Sequence, residues 1–161
     1  MWAFLMAFFF NVFVYCLEVK RGTTLLLSSF IMMSSYTASD YFFTWMSYYE
    51  TTYFDWAVYD FFTLSFLLLS FVLIKRTTPS FLYLITGLSI NFILVSLMHL
   101  DVYIYRNLEP WLFWDIYTFG VTIIDWLMVI ALIVDRDFLG LHKLKSKVLN
   151  YFKSNDTRKA T

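Results

Sequence analysis

Asp115, Thr118, Thr122 and Asp125 recur at spacings of three, four and three. On a helix this puts a carboxylate, two hydroxyls and a second carboxylate along one stripe. Rings of such oxygen-bearing side chains attract cations. Val129, Leu132 and Arg136 continue the stripe, which therefore runs from polar through apolar to basic. Asp60, Thr63, Leu67 and Ser70 make a comparable face elsewhere in the chain. Both Asp60 and Asp125 interrupt long apolar stretches, and a carboxylate so placed is costly unless it faces a bundle interior or water.

The nearest basic residue to Asp125 along its own helix is Arg136, eleven positions on, or ~16 Å at 1.5 Å per residue. An unpaired carboxylate there either takes up a proton or stays ionised because water and cations reach it. In a homo-oligomer the same aspartate would repeat around the axis as an acidic ring. Asp125 is then the main cation-attracting group, with Thr122 and Thr118 as polar lining, Asp115 as an outer ring, and Asp60 as a further pore-lining or ion-binding candidate. The competing reading makes Asp125 a neutral group hydrogen-bonded between helices to Asn91, a Thr or a Tyr.

Catalytic constellations are scarce. The two histidines, His99 and His142, cannot build a His-rich metal site, and no metal or other cofactor is expected. A His99-x-Asp101 metal pair is outweighed by a histidine hydrogen-bonding at a helix end. Gly87-Leu88-Ser89-Ile90 superficially suggests an intramembrane serine nucleophile, but His99 lies on the same helix, ~15 Å away. Asp60 and Asp125 would do acid–base work only if packed together. Cys16 is alone, which excludes an intrachain disulfide, and it reads as a buried thiol in a helix.

Composition dictates what must hold these groups. Of 161 residues, 60% are hydrophobic, 23% aromatic and only 15% charged, against about 45–50% apolar and 25% charged in soluble domains. A soluble fold of this size would leave large apolar patches in water. The expected fold is an all-α integral membrane protein, a bundle of about five (four to five) transmembrane helices. The spans fall at about 2–19, 22–48, 54–74, 80–100 and 110–134, making residues 1–136 a transmembrane helical domain. Pro79 and Pro110 are placed to open the fourth and fifth helices, and a polar link joins those two from Asp101 to Pro110. Short links force antiparallel neighbours. In the first span Ala3, Ala7, Asn11 and Glu18 share a stripe whose small residues permit close approach; Tyr83, Gly87, Asn91 and Met98 form a packing stripe in the fourth, where Gly87 admits a close backbone.

The formal net charge is zero, yet seven of the twelve basic residues follow residue 134. Cytoplasmic loops carry the excess of Lys and Arg. Five spans put Lys20/Arg21, Lys75/Arg76 and the tail on one side, leaving only Arg106 opposite. The C-terminus then faces the cytoplasm of a plasma or inner membrane. No cleavable signal is evident at the N-terminus, which lacks a basic segment before its apolar run. Residues 137–161 form a basic tail. Within it, Phe138, Leu141, Leu144, Val148, Leu149 and Phe152 face one side of an amphipathic helix suited to an anionic lipid surface, and the last seven residues are expected to be disordered. Lys20, Arg21, Lys75, Arg76, Arg136, Lys143 and Lys147 form the candidate cytoplasmic anion-binding set.

Together these features favour a small homo-oligomeric membrane channel or membrane-permeabilising effector. It would conduct cations along the fifth span, gated by an anionic cytoplasmic ligand such as a nucleotide, nucleic acid or lipid, or by a regulatory protein. The alternative is a noncatalytic membrane scaffold or partner subunit; a small transporter or a membrane enzyme fits less well. Few glycines and prolines (four and two) leave little room for the broken helices of carriers.

Overall fold

A computed structural model describes residues 2–18, 23–42, 52–74, 78–137, 140–141, 143 and 146–147. These form five helices and no strand: α1 (Trp2–Cys16), α2 (Thr23–Asp40), α3 (Tyr53–Ile74), α4 (Pro79–His99) and α5 (Leu112–Val134). Consecutive helices pack side by side, α5 returns to touch α1, and α2 meets α4 across the middle. We call the end where α4 starts and α5 stops the tail end, and the opposite end the loop end.

Local chemistry sets several of the helix ends. Pro79 opens α4 behind an extended Thr78, where its missing N–H costs nothing. Thr52 and Asp55 cap the start of α3: Thr52 N–H and Oγ1–H both donate to Asp55 Oδ2, at 2.8 and 2.9 Å. Asp135 stops α5 in the left-handed region, at φ 47°, and its carboxylate accepts from Ser80 Oγ at 2.9 Å. That bond binds the end of α5 to the start of α4, where a carboxylate also suits the helix dipole. Tyr83 Oη donates to Asp137 at 2.8 Å, a second tie at the same end.

Two expected boundaries move. The fourth helix continues past residue 100 as a π-helical turn, Leu100–Ile104, closed by Tyr105 N–H to Leu100 O at 2.9 Å. The charge of Asp101 does not end the helix because Trp111 Nε1, Trp114 Nε1 and Asn107 Nδ2 all donate to its carboxylate. Pro110 does not open the fifth helix. Trp111 is the extended cap, and its carbonyl accepts Trp114 N–H at 2.9 Å. The second helix is described to Phe42, so the rest of its expected span lies outside the described residues.

Three helical stretches, Tyr53–Ile74, Pro79–Ile104 and Leu112–Val134, are long and apolar enough to cross a membrane. Their surfaces agree with that length. Phe61, Phe62, Phe66, Leu69, Phe119 and Ile123 point outward and are exposed, whereas Thr24, Ser28, Ser29, Thr63, Ser70 and Ser80 are buried. Small and hydroxyl side chains between helices with large apolar ones outside is how helices pack in lipid.

α1 is shorter. Fifteen residues reach ~22 Å, less than the ~30 Å hydrocarbon core. Its position follows from three contacts: Phe4 packs on Tyr36 with ring centroids 4.2 Å apart, Ala3 lies near Asp125, and Asn11 Nδ2 donates to Leu132 O at 3.2 Å. α1 therefore runs parallel to α5 from the level of Asp125 to the tail end. The loop-end half of the bundle is built by the other four helices.

Cys16, expected to be a buried thiol, is exposed, because α1 buries the opposite stripe of Phe4, Ala7, Asn11 and Val14. Gly87 lets α5 approach α4 closely: a Cβ there would meet Met128 Cγ and Sδ at 2.7 Å.

Candidate functional site

The loop-end half of the four-helix region encloses a cavity of about 230 Å³. Each of its walls comes from a different helix. α2 supplies Ser35, Tyr36 and Ser39, α3 Trp56, Tyr59 and Asp60, α4 Asn91 and Val95, and α5 Tyr117, Val121 and Asp125. Asp60 and Asp125, found in sequence as the costly carboxylates of two spans, face this one space.

Asp125 is the hub. Its Oδ1 accepts from Tyr36 Oη and from Asn91 Nδ2, both at 2.8 Å. α2, α4 and α5 thus meet on one carboxylate oxygen. Asn91 Oδ1 is buried and has no hydrogen-bond partner among the described residues. Below Asp60, Thr63 Oγ1 pairs with Ser35 Oγ, and Ser39 Oγ donates to its own helix at Tyr36 O, 3.1 Å. Near the mouth Tyr53 meets Tyr117 edge-on at 5.6 Å. Among the described residues no Lys or Arg lines the cavity.

Toward the tail end, buried apolar residues follow the lining on every helix: Met32 below Tyr36, Leu67 below Asp60, Leu88 below Asn91 and Met128 below Asp125. They belong to one packed core with Leu84 and Leu132. The cavity is an acidic, aromatic-walled recess above this core.

The polar stripe of α5 divides. Thr122 borders a second cavity of about 180 Å³ on the α1 side of Asp125, with Ala3, Phe4 and Trp126. Its hydroxyl donates to Thr118 O at 2.8 Å. Thr118 is exposed and donates to Trp114 O at 2.9 Å. Asp115 is exposed. The reason is helical phase: the ten residues from Asp115 to Asp125 turn the helix to about 80° short of a whole number of turns. α1 begins too far down to cover Asp115.

At the tail end Arg136, Lys143 and Lys147 are exposed, while Lys20, Arg21, Lys75 and Arg76 lie outside the described residues, as does most of the amphipathic tail. Among the described residues His99 Nδ1 is buried without a hydrogen-bond partner. Its ring stacks on Tyr103 at 5.0 Å and leans on Phe54 at 5.6 Å, and Asp101 is engaged by the tryptophans instead. Among the described residues no cluster of three His, Cys, Asp or Glu side chains is placed to hold a metal.

Sequence reasoning missed Tyr36, Tyr59, Trp56 and Tyr117. The available signal was the polar run Ser34–Asp40, too rich in hydroxyls for a lipid-facing helix.

Compared with known proteins, the chain matches no family model, no curated protein and no solved structure.

Proposed function

We propose that the protein is a small multi-pass membrane channel or membrane-permeabilising effector that conducts cations, its tail end facing the cytoplasm. One observation carries this reading: two carboxylates on different helices, Asp60 and Asp125, face a single polar cavity inside a largely apolar bundle, with no basic residue among the described residues of its walls. Such groups are normally tolerated at that depth where they serve an ion or water path. The layer of Met32, Leu67, Leu88 and Met128 is the barrier a permeating ion must cross, and conduction requires these helices to separate.

Assembly of several copies is part of the proposal. Asp115, Thr118 and Thr122 are exposed on α5 beside Phe119 and Ile123, and polar groups on a lipid-facing surface are better satisfied against a second helix or water. α5 thus carries Asp125 toward the cavity and a second polar stripe toward a shared path. Arg136, Lys143 and Lys147 are candidates to receive an anionic regulator at the cytoplasmic end.

The same outward stripe also suits docking of a different membrane protein, which is the scaffold or partner-subunit reading. Planar-bilayer recording of the purified protein separates the two. Cation-selective currents that Asp60→Asn and Asp125→Asn diminish support the channel. A silent monomer supports the scaffold.

A further inference from the structure

Two cavities flank Asp125. The recess of about 230 Å³ lies toward α3 and α4, and the smaller cavity of about 180 Å³ lies toward α1. They have two lining residues in common, Tyr36 and Asp125, and these are the pair joined at 2.8 Å. One hydrogen bond from α2 to α5 thus spans the seam between an interior space and an outer one. The rim of the outer space, Thr122 and Trp126, is exposed on the face of the bundle.

The two halves of the pair are held differently. Asp125 Oδ1 also accepts from Asn91 Nδ2 at 2.8 Å, and Asn91 is buried, so the carboxyl keeps its place when the tyrosine lets go. Tyr36 is steadied at its ring by Phe4 of α1, with centroids 4.2 Å apart, and Phe4 itself borders the outer cavity. Turning the Tyr36 ring therefore parts the seam without moving α5. The bond forms whether Asp125 is ionised or protonated, because a carboxyl oxygen accepts in either form. A single net hydrogen bond is weak enough to open thermally.

We infer that Tyr36 is a gate on a side passage. With its hydroxyl on Asp125 the recess is closed off from the α1 side; with the ring turned aside, the two cavities become one polar space reaching Thr122. Phe4 is the clamp that favours the closed position. The inference rests on the reading of the recess as a water and cation path. It adds the route by which that path meets the outward stripe of α5, and leaves the apolar layer beneath unchanged.

Thiol modification of the full chain in liposomes tests it, in a Cys16→Ser background, with 2-aminoethyl methanethiosulfonate as the water-borne probe. The reagent attacks the thiolate, so a thiol reached by water reacts fast and one facing lipid alone reacts slowly. Val121→Cys, on the recess wall, is expected to react readily with Tyr36 in place. Thr122→Cys, ten residues into α5 or ~15 Å, is expected to react slowly. Tyr36→Phe keeps the ring against Phe4 and drops only the hydroxyl. It should speed modification at Thr122→Cys about three- to tenfold, the shift in a two-state equilibrium when one net hydrogen bond is lost. Tyr36→Ala removes the ring and should speed it further. Leu69→Cys, at an exposed position of α3, should stay slow in every background; a parallel rise there would mean general loosening and overturn the gate. So would a Thr122→Cys rate that is already fast with Tyr36 in place, or one that neither substitution changes, and a reactive Val121→Cys would then leave the wet recess standing. An unreactive Val121→Cys removes the recess as a path, and the gate falls with it. Should Tyr36→Ala fail to assemble, the Tyr36→Phe rate decides alone.

Discussion

Tyr36 Oη and Asp125 Oδ1 lie 2.8 Å apart, joining the second helix to the fifth across the floor of the acidic recess. Asn91 donates to the same oxygen, so one atom organises three helices. The structure thus makes Asp125 an interhelical hub and a cavity-lining carboxylate at once. The two roles are separable, because a carboxamide oxygen can still accept both bonds but carries no charge.

Stability measurements exploit that difference. Asp125→Leu strands the Tyr36 hydroxyl and the Asn91 amide, and should cost about 2–4 kcal/mol of folding stability. Asp125→Asn keeps an acceptor and should cost less than about 1 kcal/mol. Thermal unfolding in detergent checks the order. Equal losses in the two variants would show that the charge, rather than the acceptor, holds the helices.

If the proposed channel reading holds, loosening the apolar layer beneath the recess should raise ion leak. Leu88→Ala and Met128→Ala each remove a fully buried side chain from the core, at ~2–5 kcal/mol of packing when the site cannot collapse. Dye or ion leak from liposomes is expected to rise in these variants relative to Leu69→Ala, whose parent side chain is exposed. No difference among the three would place the barrier elsewhere.

Topology is open to labelling. In a Cys16→Ser background, Glu109→Cys at the loop end and Ser146→Cys at the tail end are both at exposed positions. A membrane-impermeant maleimide applied to intact cells should label the first and reach the second only after permeabilisation. The reverse pattern would invert the proposed orientation.

Much of this arrangement is legible in the chain, for identifiable reasons. Long apolar runs mark α3, α4 and α5, and Asp60 and Asp125 stand out because carboxylates are so costly there. Thr52-x-x-Asp55 is a readable capping signal for α3 that apolar-run counting passes over. The short reach of α1 is harder to see, since Trp2–Cys16 is as apolar as a true span and only its contacts with Asp125 and Leu132 fix its level. Asp115 and Asp125 fit one stripe by spacing, yet accumulated rotation sends the first outward and the second inward. The aromatic walls are the least legible part. In a chain with 12 tyrosines and 6 tryptophans, composition does not separate a Tyr117 that lines a cavity from a Tyr105 that is exposed at the loop end.

The central claim, that the Asp60–Asp125 recess governs cation passage, is tested most directly by planar-bilayer recording of wild type, Asp60→Asn and Asp125→Asn at matched assembly state. Wild type is expected to give cation-selective currents, with the reversal potential in a KCl gradient moving toward zero in both variants. Currents of unchanged size and selectivity in both variants would contradict it.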